Sequence, residues 1–551
     1  GGIIVDKEQV GTPVLGIPTL PPEFTDEVRK YMSQNGLGES LTDFLNDAKK
    51  AGIHVFEIPY MDLLKTIAAR LGIDQISKVT RMINVLTMGV SFALLDYDRG
   101  LVEKAVTAVF SDKPKVAEMN VMALREAYDY TKRTFVDAFP NKLMKVDAKE
   151  ERLFVSGNQA VAMGKVLGGC RVQTYYPITP AADESEYLEA HEILKTKAGD
   201  GGIVVVQTED EIAAVNSASG AALAGARAAT STSGPGFSLM VEGLSWAGNS
   251  EVPLVITYYQ RGAPATGLPT RHGQADLRFA VHAGHGEFPR IVLASGDIRE
   301  CFYDAARAFN YAERYQMPVI HLIDKAMANC SQTYPLFDTS HFKIQRGEIL
   351  DEAKLQDKTY KRFSFTETGV SPRVLLGTKN GVHWYTGDEH NEFGHISEEP
   401  FNRIMMIEKR MRKLDLVDKE IPVEEKVNFF GDEDSENLVV SWGSPKGAIL
   451  EAVETLKAEG FSLSFMQLRM LHPLPKHYVA DTMKRARRVI DVEGNYLGQL
   501  GGILKEETGV QVNFYILKYT GRPITTTEVY VALKNILRGQ APGRQVLTYG
   551  A

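Results

Sequence analysis

Four polar side chains between residues 176 and 276 have types that could carry chemistry: Thr179, Glu211, Arg261 and Arg271. A glutamate can move a proton, and an arginine can hold a carboxylate through two parallel hydrogen bonds. A threonine hydroxyl can donate a hydrogen bond to a carboxylate or to a polarised carbonyl oxygen. This set of residues therefore predicts a site for an anionic ligand.

The elements that must position these side chains are short strands of a parallel sheet. Apolar, β-branched runs at 203–206 and 254–257 alternate with helical runs of small residues, which is the pattern of βαβ units. Each of the four candidate residues follows the end of a predicted strand or lies in the loop beyond it. Because ligands of such sheets bind at the carboxyl ends of the strands, we expect these segments to face one pocket.

Two of the candidates also have a purely structural interpretation. Thr179 precedes Pro180, so it could be the N-cap of a helix that has proline at its first position. Thr208 and Glu211 have the spacing of a capping box at the start of the helix predicted over 212–224. The local pattern leaves capping and chemistry open for both residues.

Two glycines, Gly234 and Gly236, lie between a predicted strand over 226–232 and a predicted helix that begins at Phe237. Glycines at this point permit positive φ angles and close approach of the backbone to a ligand. The dinucleotide-binding fingerprint is incomplete because Leu239 occupies its last glycine position. The segment therefore predicts a close backbone approach without indicating a nicotinamide cofactor.

Composition excludes several function classes. The chain has 551 residues, a net charge of −8 and a pI near 5.9, which argues against nucleic acid as a main partner. Its three cysteines, Cys170, Cys301 and Cys330, are too few and too far apart to hold an iron-sulfur cluster, and they suit a reducing cytoplasm. Histidines lack a recognised ligand spacing, so we predict no metal site in this chain. No apolar run predicts a membrane span or export.

The pattern of elements predicts a multidomain α/β chain. We expect an N-terminal α/β lobe over 1–150, which opens without a methionine and is expected to start partway through a domain. A second α/β domain is predicted over 151–330. A polar connecting arm with one helix at 399–412 is predicted over 331–430, and a smaller α/β domain over 431–551.

Motifs along nearly the whole chain resemble those of the 2-oxoacid:ferredoxin oxidoreductases. The similarity is to the large subunit in which the gamma and alpha parts are fused, as in archaeal enzymes. The matching segments are Arg81-x-x-Asn84, Ser156-Gly-Asn-Gln-Ala160, Tyr176-Pro-Ile-Thr-Pro180, Gln207-x-Glu-x-Glu211, Thr232-Ser-Gly-Pro-Gly-Phe-Ser-Leu-Met240, Gly267-Leu-Pro-Thr-Arg271, Gln274-x-Asp276, Trp442-Gly-Ser-Pro-x-Gly447 and Val492-Glu-x-Asn-Tyr-x-Gly-Gln-Leu500.

The resemblance implies a fold for each part of the chain. It implies a gamma-type α/β lobe over 1–150, a pyrimidine-type domain for thiamine diphosphate over 151–330, and a transketolase C-terminal-like domain over 431–551. It also implies that the chain helps to decarboxylate 2-oxoacids such as pyruvate and 2-oxoglutarate oxidatively, giving acyl-coenzyme A and carbon dioxide, with ferredoxin as the electron acceptor. Two alternatives stay open: a non-redox thiamine enzyme of the transketolase type, and a catalytically silent scaffold subunit.

The resemblance assigns roles to individual residues. Glu211 matches the glutamate that hydrogen-bonds the aminopyrimidine ring and so promotes loss of the thiazolium proton. Thr179 matches the threonine beside the substrate, and Arg261 matches the arginine that pairs with the substrate carboxylate, with Arg271 as second choice. The residues expected to line the cofactor, besides Glu211, are Tyr176, Pro177, Ile178, Gly234 and Gly236.

Two features that the chemistry needs are missing from this sequence. It lacks the Gly-Asp-Gly…Asn segment that holds magnesium and the diphosphate, and it lacks the cysteines for a four-iron, four-sulfur cluster. The resemblance implies that both lie on a small beta subunit. We therefore expect the thiamine diphosphate to be shared with that partner at a subunit interface.

Overall fold

A computed structural model describes residues 1–20, 22–146, 149–196, 199–355 and 360–548. The chain forms two compact units, Gly1–Lys149 and Glu150–Ala551. Among the described residues, no helix combines the length and the apolar character that crossing a membrane requires.

The first unit is mainly helical. Its core consists of apolar side chains from β2, α3, α4 and α6. Strands β1 and β2 pair in parallel, with Ile4 opposite Phe56. Both strands have only five residues, so the α/β character of this lobe depends on a small two-stranded sheet. The elements in chain order are β1 (Gly2–Asp6), α1 (Pro22–Asn35), α2 (Leu41–Lys50), β2 (His54–Ile58), α3 (Tyr60–Leu71), α4 (Ile83–Leu94), α5 (Arg99–Val109) and α6 (Pro114–Thr134).

The second unit begins with a doubly wound α/β segment. Its elements are β3 (Arg152–Ser156), α7 (Gly157–Leu167), β4 (Val172–Tyr175), α8 (Ala182–Glu189), β5 (Ile193–Thr196), β6 (Gly199–Gly202), β7 (Val204–Gln207), α9 (Glu211–Leu223), β8 (Ala228–Ser233), α10 (Gly234–Asn249), β9 (Val255–Gln260), α11 (Leu277–His282), β10 (Ile291–Ala294), α12 (Ile298–Tyr315), β11 (Val319–Asp324), α13 (Lys325–Asn329) and β12 (Ser331–Pro335).

The described residues of the arm that follows, 336–355 and 360–399, are irregular apart from a single 3-10 turn, and one long helix, α14 (Pro400–Glu420), comes next. The helix extends eight residues beyond its predicted end at 412. Glu399 caps its first turn by accepting hydrogen bonds from the backbone of Phe401 and Asn402. A proline at the first position fits a helix N-terminus because that N–H needs no partner.

The C-terminal part is a smaller α/β segment. Its elements are α15 (Val423–Lys426), β13 (Val427–Phe430), β14 (Asn437–Ser441), α16 (Lys446–Ala458), β15 (Ser464–Leu468), β16 (Met470–His472), α17 (Lys476–Arg485), β17 (Arg488–Glu493), α18 (Gln499–Thr508), β18 (Phe514–Leu517), α19 (Thr526–Leu537) and β19 (Arg544–Val546).

Two large sheets organise this second unit. One has the order β16-β10-β11-β9-β8-β4-β7, and the other has the order β13-β15-β14-β17-β18-β19. Every pair in the first sheet is parallel except β16 with β10, so the C-terminal segment contributes an edge strand to the sheet of the preceding segment. The interior strands β8, β9 and β11 are buried along their full length, as parallel strands covered by helices on both faces must be. The predicted α/β class is confirmed.

Candidate active site

The loops with the predicted site residues lie at one edge of the seven-stranded sheet. Strands β9, β8, β4 and β7 are consecutive neighbours in this sheet and run in parallel. Arg261 directly follows β9, Gly234 directly follows β8, and Tyr176 directly follows β4. Glu211 follows β7 after three intervening residues. The expected common edge is therefore found for these four segments. The further expectation that all the segments face one pocket is not borne out, because Arg261 lines a cavity that neither Glu211 nor Arg271 lines.

Glu211 is the first residue of α9. The N-cap of this helix is Asp210, whose carboxylate accepts a 2.7 Å hydrogen bond from the backbone N–H of Ala213. Thr208 instead donates its hydroxyl hydrogen bond to the carbonyls of Tyr175 and Asp210. The predicted capping box of Thr208 and Glu211 is therefore wrong, because Asp210 already supplies the cap. The Glu211 carboxylate therefore does not take part in capping α9.

The Glu211 carboxylate packs against the first turn of α10. A Cβ built on Gly236 would lie 2.3 Å from Glu211 Oε1 and 2.2 Å from Thr232 Oγ1, so only glycine fits there. Glu211 is 5% exposed, and burial raises the pKa of its carboxyl, with Asp210 adding to the effect. Its own backbone N–H opposes that rise. A buried carboxyl of raised pKa is suited to sharing a proton with a ring nitrogen.

Helix α10 begins at Gly234 and not at Phe237 as predicted, with Pro235 in its first turn. Neither Gly234 nor Gly236 has a positive φ angle. The sequence missed the start because a Gly-Pro-Gly run usually marks a turn, although proline fits the first turn of a helix. Gly236 is needed for its lack of a side chain, whereas a Cβ on Gly234 would make only ordinary contacts at 3.5 Å.

Thr179 and Arg261 are brought together by a direct hydrogen bond. Arg261 Nη1 donates to the carbonyl oxygen of Thr179 at 2.6 Å, and Nη2 donates to the carbonyl of Thr266 at 3.3 Å. Helix α8 begins at Ala182 with Ala181 as its N-cap, so the predicted N-cap role of Thr179 is wrong. Thr179 lies instead in an exposed loop between β4 and α8. Its hydroxyl is therefore not needed as a helix cap.

Arg261 is held in place but incompletely satisfied. It is 6% exposed, its Nε has no hydrogen-bond partner among the described residues, and burial lowers the pKa of its guanidinium. Arg271, by contrast, is exposed and packs its aliphatic stem beside Gly521. The structure thus brings Arg261 to the candidate site and leaves Arg271 outside it.

Arg261 lines a cavity of about 440 Å³ between the two α/β segments of the second unit. Gly234 and Asp276 lie on one side, and Tyr496 and Leu497 from the C-terminal segment close the other. Glu211 does not line this cavity. Gly236 faces Glu211, and Gly234 faces Asp276, so the first turn of α10 lies between the carboxylate and the cavity.

Asp276 is a site residue to which the sequence analysis gave no role. Burial raises the pKa of its carboxyl to about 6, and the neighbouring hydroxyl of Tyr258 partly opposes this rise. Asp276 stands at the N-cap position of α11 but makes no side-chain cap bond there. Its place sixteen residues after the end of β9 gave no local signal, because only the return of the loop brings it beside Gly234.

The remaining residues of the Tyr-Pro-Ile-Thr-Pro motif divide between surface and core. Tyr176 and Pro177 are exposed, whereas Ile178 is half-buried and packs against the cluster that contains Ala181 and Tyr259. Ile178 therefore anchors the loop, and Tyr176 and Pro177 form part of the surface beside it.

A buried polar network, which the sequence did not reveal, fixes the Thr179 loop relative to Arg261. Lys165 of α7 forms an ion pair with Glu184 of α8, and both are fully buried. Tyr259, two residues before Arg261, donates its hydroxyl hydrogen bond to Glu184 Oε2 at 2.8 Å. Asn158 donates to the carbonyl of Pro180 at 3.0 Å. These contacts tie β9, α7 and α8 into one support.

The residues present fit the aminopyrimidine end of thiamine diphosphate. Glu211 offers a buried carboxyl whose hydrogen bonding within the described chain is limited to its own backbone N–H. Ser233, at the end of β8, has a buried hydroxyl without a partner in the described ranges. Among the described residues, no group of three or more histidine, cysteine, aspartate or glutamate side chains could hold a metal ion together.

Comparison with protein families gives matches along most of the chain. Residues 163–409 match the family described as pyruvate flavodoxin/ferredoxin oxidoreductase, thiamine diP-bdg. Residues 1–130 match pyruvate ferredoxin/flavodoxin oxidoreductase. Residues 435–529 match pyruvate:ferredoxin oxidoreductase core domain II. The thiamine-binding match thus follows a separate family match over residues 1–130 in the same chain.

Individual relatives point the same way. The chain is 44% identical to the 2-oxoacid:ferredoxin oxidoreductase subunit alpha of Saccharolobus solfataricus, over 100% of this chain and 86% of that protein. It is 34% identical to the 2-oxoglutarate oxidoreductase subunit KorA of Mycobacterium tuberculosis, over 80% of this chain and 66% of that protein.

A solved structure is also similar. The 2-oxoglutarate:ferredoxin oxidoreductase from Magnetococcus marinus, with 2-oxoglutarate, coenzyme A and succinyl-CoA bound, matches with a TM-score of 0.78 and 32% identity. The match covers 88% of this chain and 81% of that one. The chain belongs to the family of 2-oxoacid:ferredoxin oxidoreductase alpha subunits.

Proposed function

We propose that this chain supplies the cofactor-activating half of the active site in an enzyme that oxidatively decarboxylates 2-oxoacids. The products are acyl-coenzyme A and carbon dioxide, and ferredoxin accepts the electrons. The observation that carries this proposal is the buried Glu211 carboxyl at a strand end, held free of capping duty and pressed against Gly236. Family membership and the ligands named for the Magnetococcus marinus structure support the reaction class.

Glu211 is proposed to hydrogen-bond the pyrimidine ring of the cofactor. Burial raises the pKa of this carboxyl, so it holds a proton shared with a ring nitrogen more readily than an exposed glutamate does. Thiamine diphosphate, when bound, supplies a nucleophilic carbon and an electron sink for the carboxylate that departs. Gly236 leaves the first turn of α10 without a side chain beside Glu211, Gly234 does so on the side of Asp276, and Tyr176 to Ile178 form the neighbouring loop.

Arg261 and Thr179 are proposed to orient the 2-oxoacid. Two backbone carbonyls hold the Arg261 guanidinium, so its position is fixed before the substrate arrives. Its buried Nε has no hydrogen-bond partner among the described residues. Because the carboxylate leaves as carbon dioxide, this contact should orient the substrate without stabilising its charge too strongly. Arg271 has no part in the proposed clamp because its side chain is exposed and packs beside Gly521.

The other half of the site is proposed to lie on a small beta subunit. This chain lacks the segment for the diphosphate and magnesium and the cysteines for a four-iron, four-sulfur cluster. Relatives named as alpha subunits imply a partner, and we assign these groups to it. The enzyme is proposed to work in the cytoplasm, since a reducing compartment suits the three free thiols of this chain.

The test replaces Glu211 by glutamine in the reconstituted complex. Glu211→Gln keeps the shape but removes the carboxylate, and we expect viologen or ferredoxin reduction to fall by about 10²- to 10⁴-fold while the complex stays intact. Glu209→Gln, an exposed neighbour, is the matched control. A catalytically silent scaffold would lose almost no activity in Glu211→Gln, and that result would overturn the proposal.

A further inference from the structure

The burial pattern of helix α14 is partly inverted: three apolar side chains are exposed near its start and charged ones are buried further on, whereas Met406 stays buried. Phe401 is 75% exposed, Ile404 is 52% exposed and Met405 is 46% exposed. These residues are spaced i, i+3 and i+4, so they form one stripe on the helix surface. Lys409 and Lys413, one and two turns further on, are fully buried.

The inversion has a clear electrostatic cause. Lys409 and Lys413 both pair with the buried Glu251, and Arg410 pairs with Glu389. Buried charges are tolerated when they are paired in this way, so the charged face of the helix points inward. The apolar stripe is thereby turned away from the core. Apolar side chains in such a stripe are unfavourably exposed to water. Exposed apolar patches of this kind mark contacts with other proteins.

Further exposed apolar side chains occur in the arm before α14, and we call them, together with the stripe, the arm patch. Its members are all exposed, and they come from one stretch of 24 residues in the arm and α14: Val382, Trp384, Phe393, Ile396, Phe401, Ile404 and Met405. The backbone carbonyl of Trp384 packs against Gly394, and its ring lies 5.7 Å from that of His395. The arm patch is thus an ordered surface.

The arm patch is attached to the far end of α10. Trp246 Nε1 and the Ser250 hydroxyl both donate to the carbonyl of Thr386, and Asn249 Nδ2 donates to the carbonyl of Asp388. These carbonyls lie between Trp384 and the residues that precede α14. The C-terminal end of the helix whose first turn contacts Glu211 therefore carries the arm.

A shallow groove continues from this attachment back towards Glu211. It has a volume of about 450 Å³, and Trp246 lines one end. Ile212, next to Glu211, and Leu239 line it with exposed apolar side chains. Gly220 and Gly243 line the groove without side chains. The polar side chains of Asn216 and Glu242 also line it, so a groove of mixed apolar and polar character runs along α9 and α10 between Ile212 and Trp246.

We infer that the arm patch is the outer part of the surface on which the small beta subunit docks. This inference rests on the proposed function, which requires that subunit to meet Glu211. Helix α10 has 16 residues and spans about 24 Å, which sets the distance from Glu211 to the arm. A permanent subunit interface of about 2,000 to 5,000 Å² in total reaches about 18 to 28 Å from its centre, so an interface centred on Glu211 reaches the arm when its total area exceeds about 3,600 Å².

The test introduces a charge into the stripe of α14. Ile404→Glu, alone and with Phe401→Asp, is expected to raise the dissociation constant for the small subunit at least tenfold, because a buried unpaired charge opposes docking. Val531→Glu changes an equally exposed apolar residue on α19 and is expected to leave binding unchanged. Binding is measured by titrating tagged alpha subunit with small subunit, and unfolding temperatures check that each variant folds.

Three outcomes decide the inference. Weaker capture of the small subunit by Ile404→Glu, with activity restored at saturating small subunit, supports it. Undiminished capture of the small subunit by Ile404→Glu overturns the inference. So does a result in which the substitution only dissociates a pair of alpha chains, since a second alpha chain would then cover the arm patch. Glu211→Gln separates the two proposals, because that variant should bind the small subunit normally while losing activity.

Discussion

Gly236 offers the sharpest test of how Glu211 is placed. In Gly236→Ala the new methyl group would lie 2.3 Å from Glu211 Oε1 and 2.2 Å from Thr232 Oγ1. Ordinary van der Waals contact begins near 3.4 Å, so the carboxylate must move by about 1 Å. Thr232 is fully buried and cannot yield easily. A displacement of about 1 Å at a reacting group costs about 10²-fold in rate, equivalent to about 2.7 kcal/mol in the barrier.

The assay is viologen reduction by the reconstituted complex, with chemical denaturation measured in parallel. We expect Gly236→Ala to lose about 10²-fold in kcat and about 1 to 3 kcal/mol in the free energy of unfolding. Gly447→Ala, in a helix with open space around its Cβ, is the control and should keep full activity. If the activity of Gly236→Ala is within twofold of that of the unmodified enzyme, the position of the Glu211 carboxylate does not depend on the missing side chain at Gly236, and that result refutes the argument.

Two further predictions concern the support of the site. Tyr259→Phe removes the hydrogen bond to Glu184, so β9 and α8 are less firmly joined. We therefore expect a several-fold rise in KM for the 2-oxoacid. A loss of stability with unchanged KM would show that Tyr259 has a structural role only. Burial raises the pKa of Asp276 from 3.8 to about 6, so the folded state binds the extra proton between these values and stability falls as pH rises through that window. This fall in stability amounts to about 2 kcal/mol at pH 7, and Asp276→Asn should abolish it. Urea unfolding from pH 4 to 7 measures the effect, and an identical pH profile in the variant would contradict the raised pKa of Asp276.

Local patterns predicted the type of the elements better than the roles of single residues. The parallel strands and the segments at their carboxyl ends follow from β-branched runs that alternate with helical runs. The capping assignments failed for Thr179 and Glu211 because spacing alone does not decide which neighbouring side chain reaches the backbone. Asp210 caps α9 directly, and α8 starts two residues later than its sequence suggested.

The choice between the two arginines could not be made from local sequence. Both Arg261 and Arg271 follow the same strand, and the resemblance only favoured the first. The loop between them turns back so that the Gly262 N–H donates to the Arg271 carbonyl, and this turn sends the two side chains to different places. Such a return depends on contacts with the C-terminal segment, where the His272 N–H donates to the Gly521 carbonyl.

The amino-acid sequence by itself determined the α/β class, the family and the strand ends that carry the candidate site, because periodicity and motif spacing are properties of neighbouring residues. Only the tertiary structure decided that Gly236 shapes the surroundings of Glu211, that Asp276 joins the cavity of Arg261, and that α14 turns its apolar side outward. Each of these depends on residues far apart in the chain, whose burial and charge pairing are fixed only once the sheets and helices have packed.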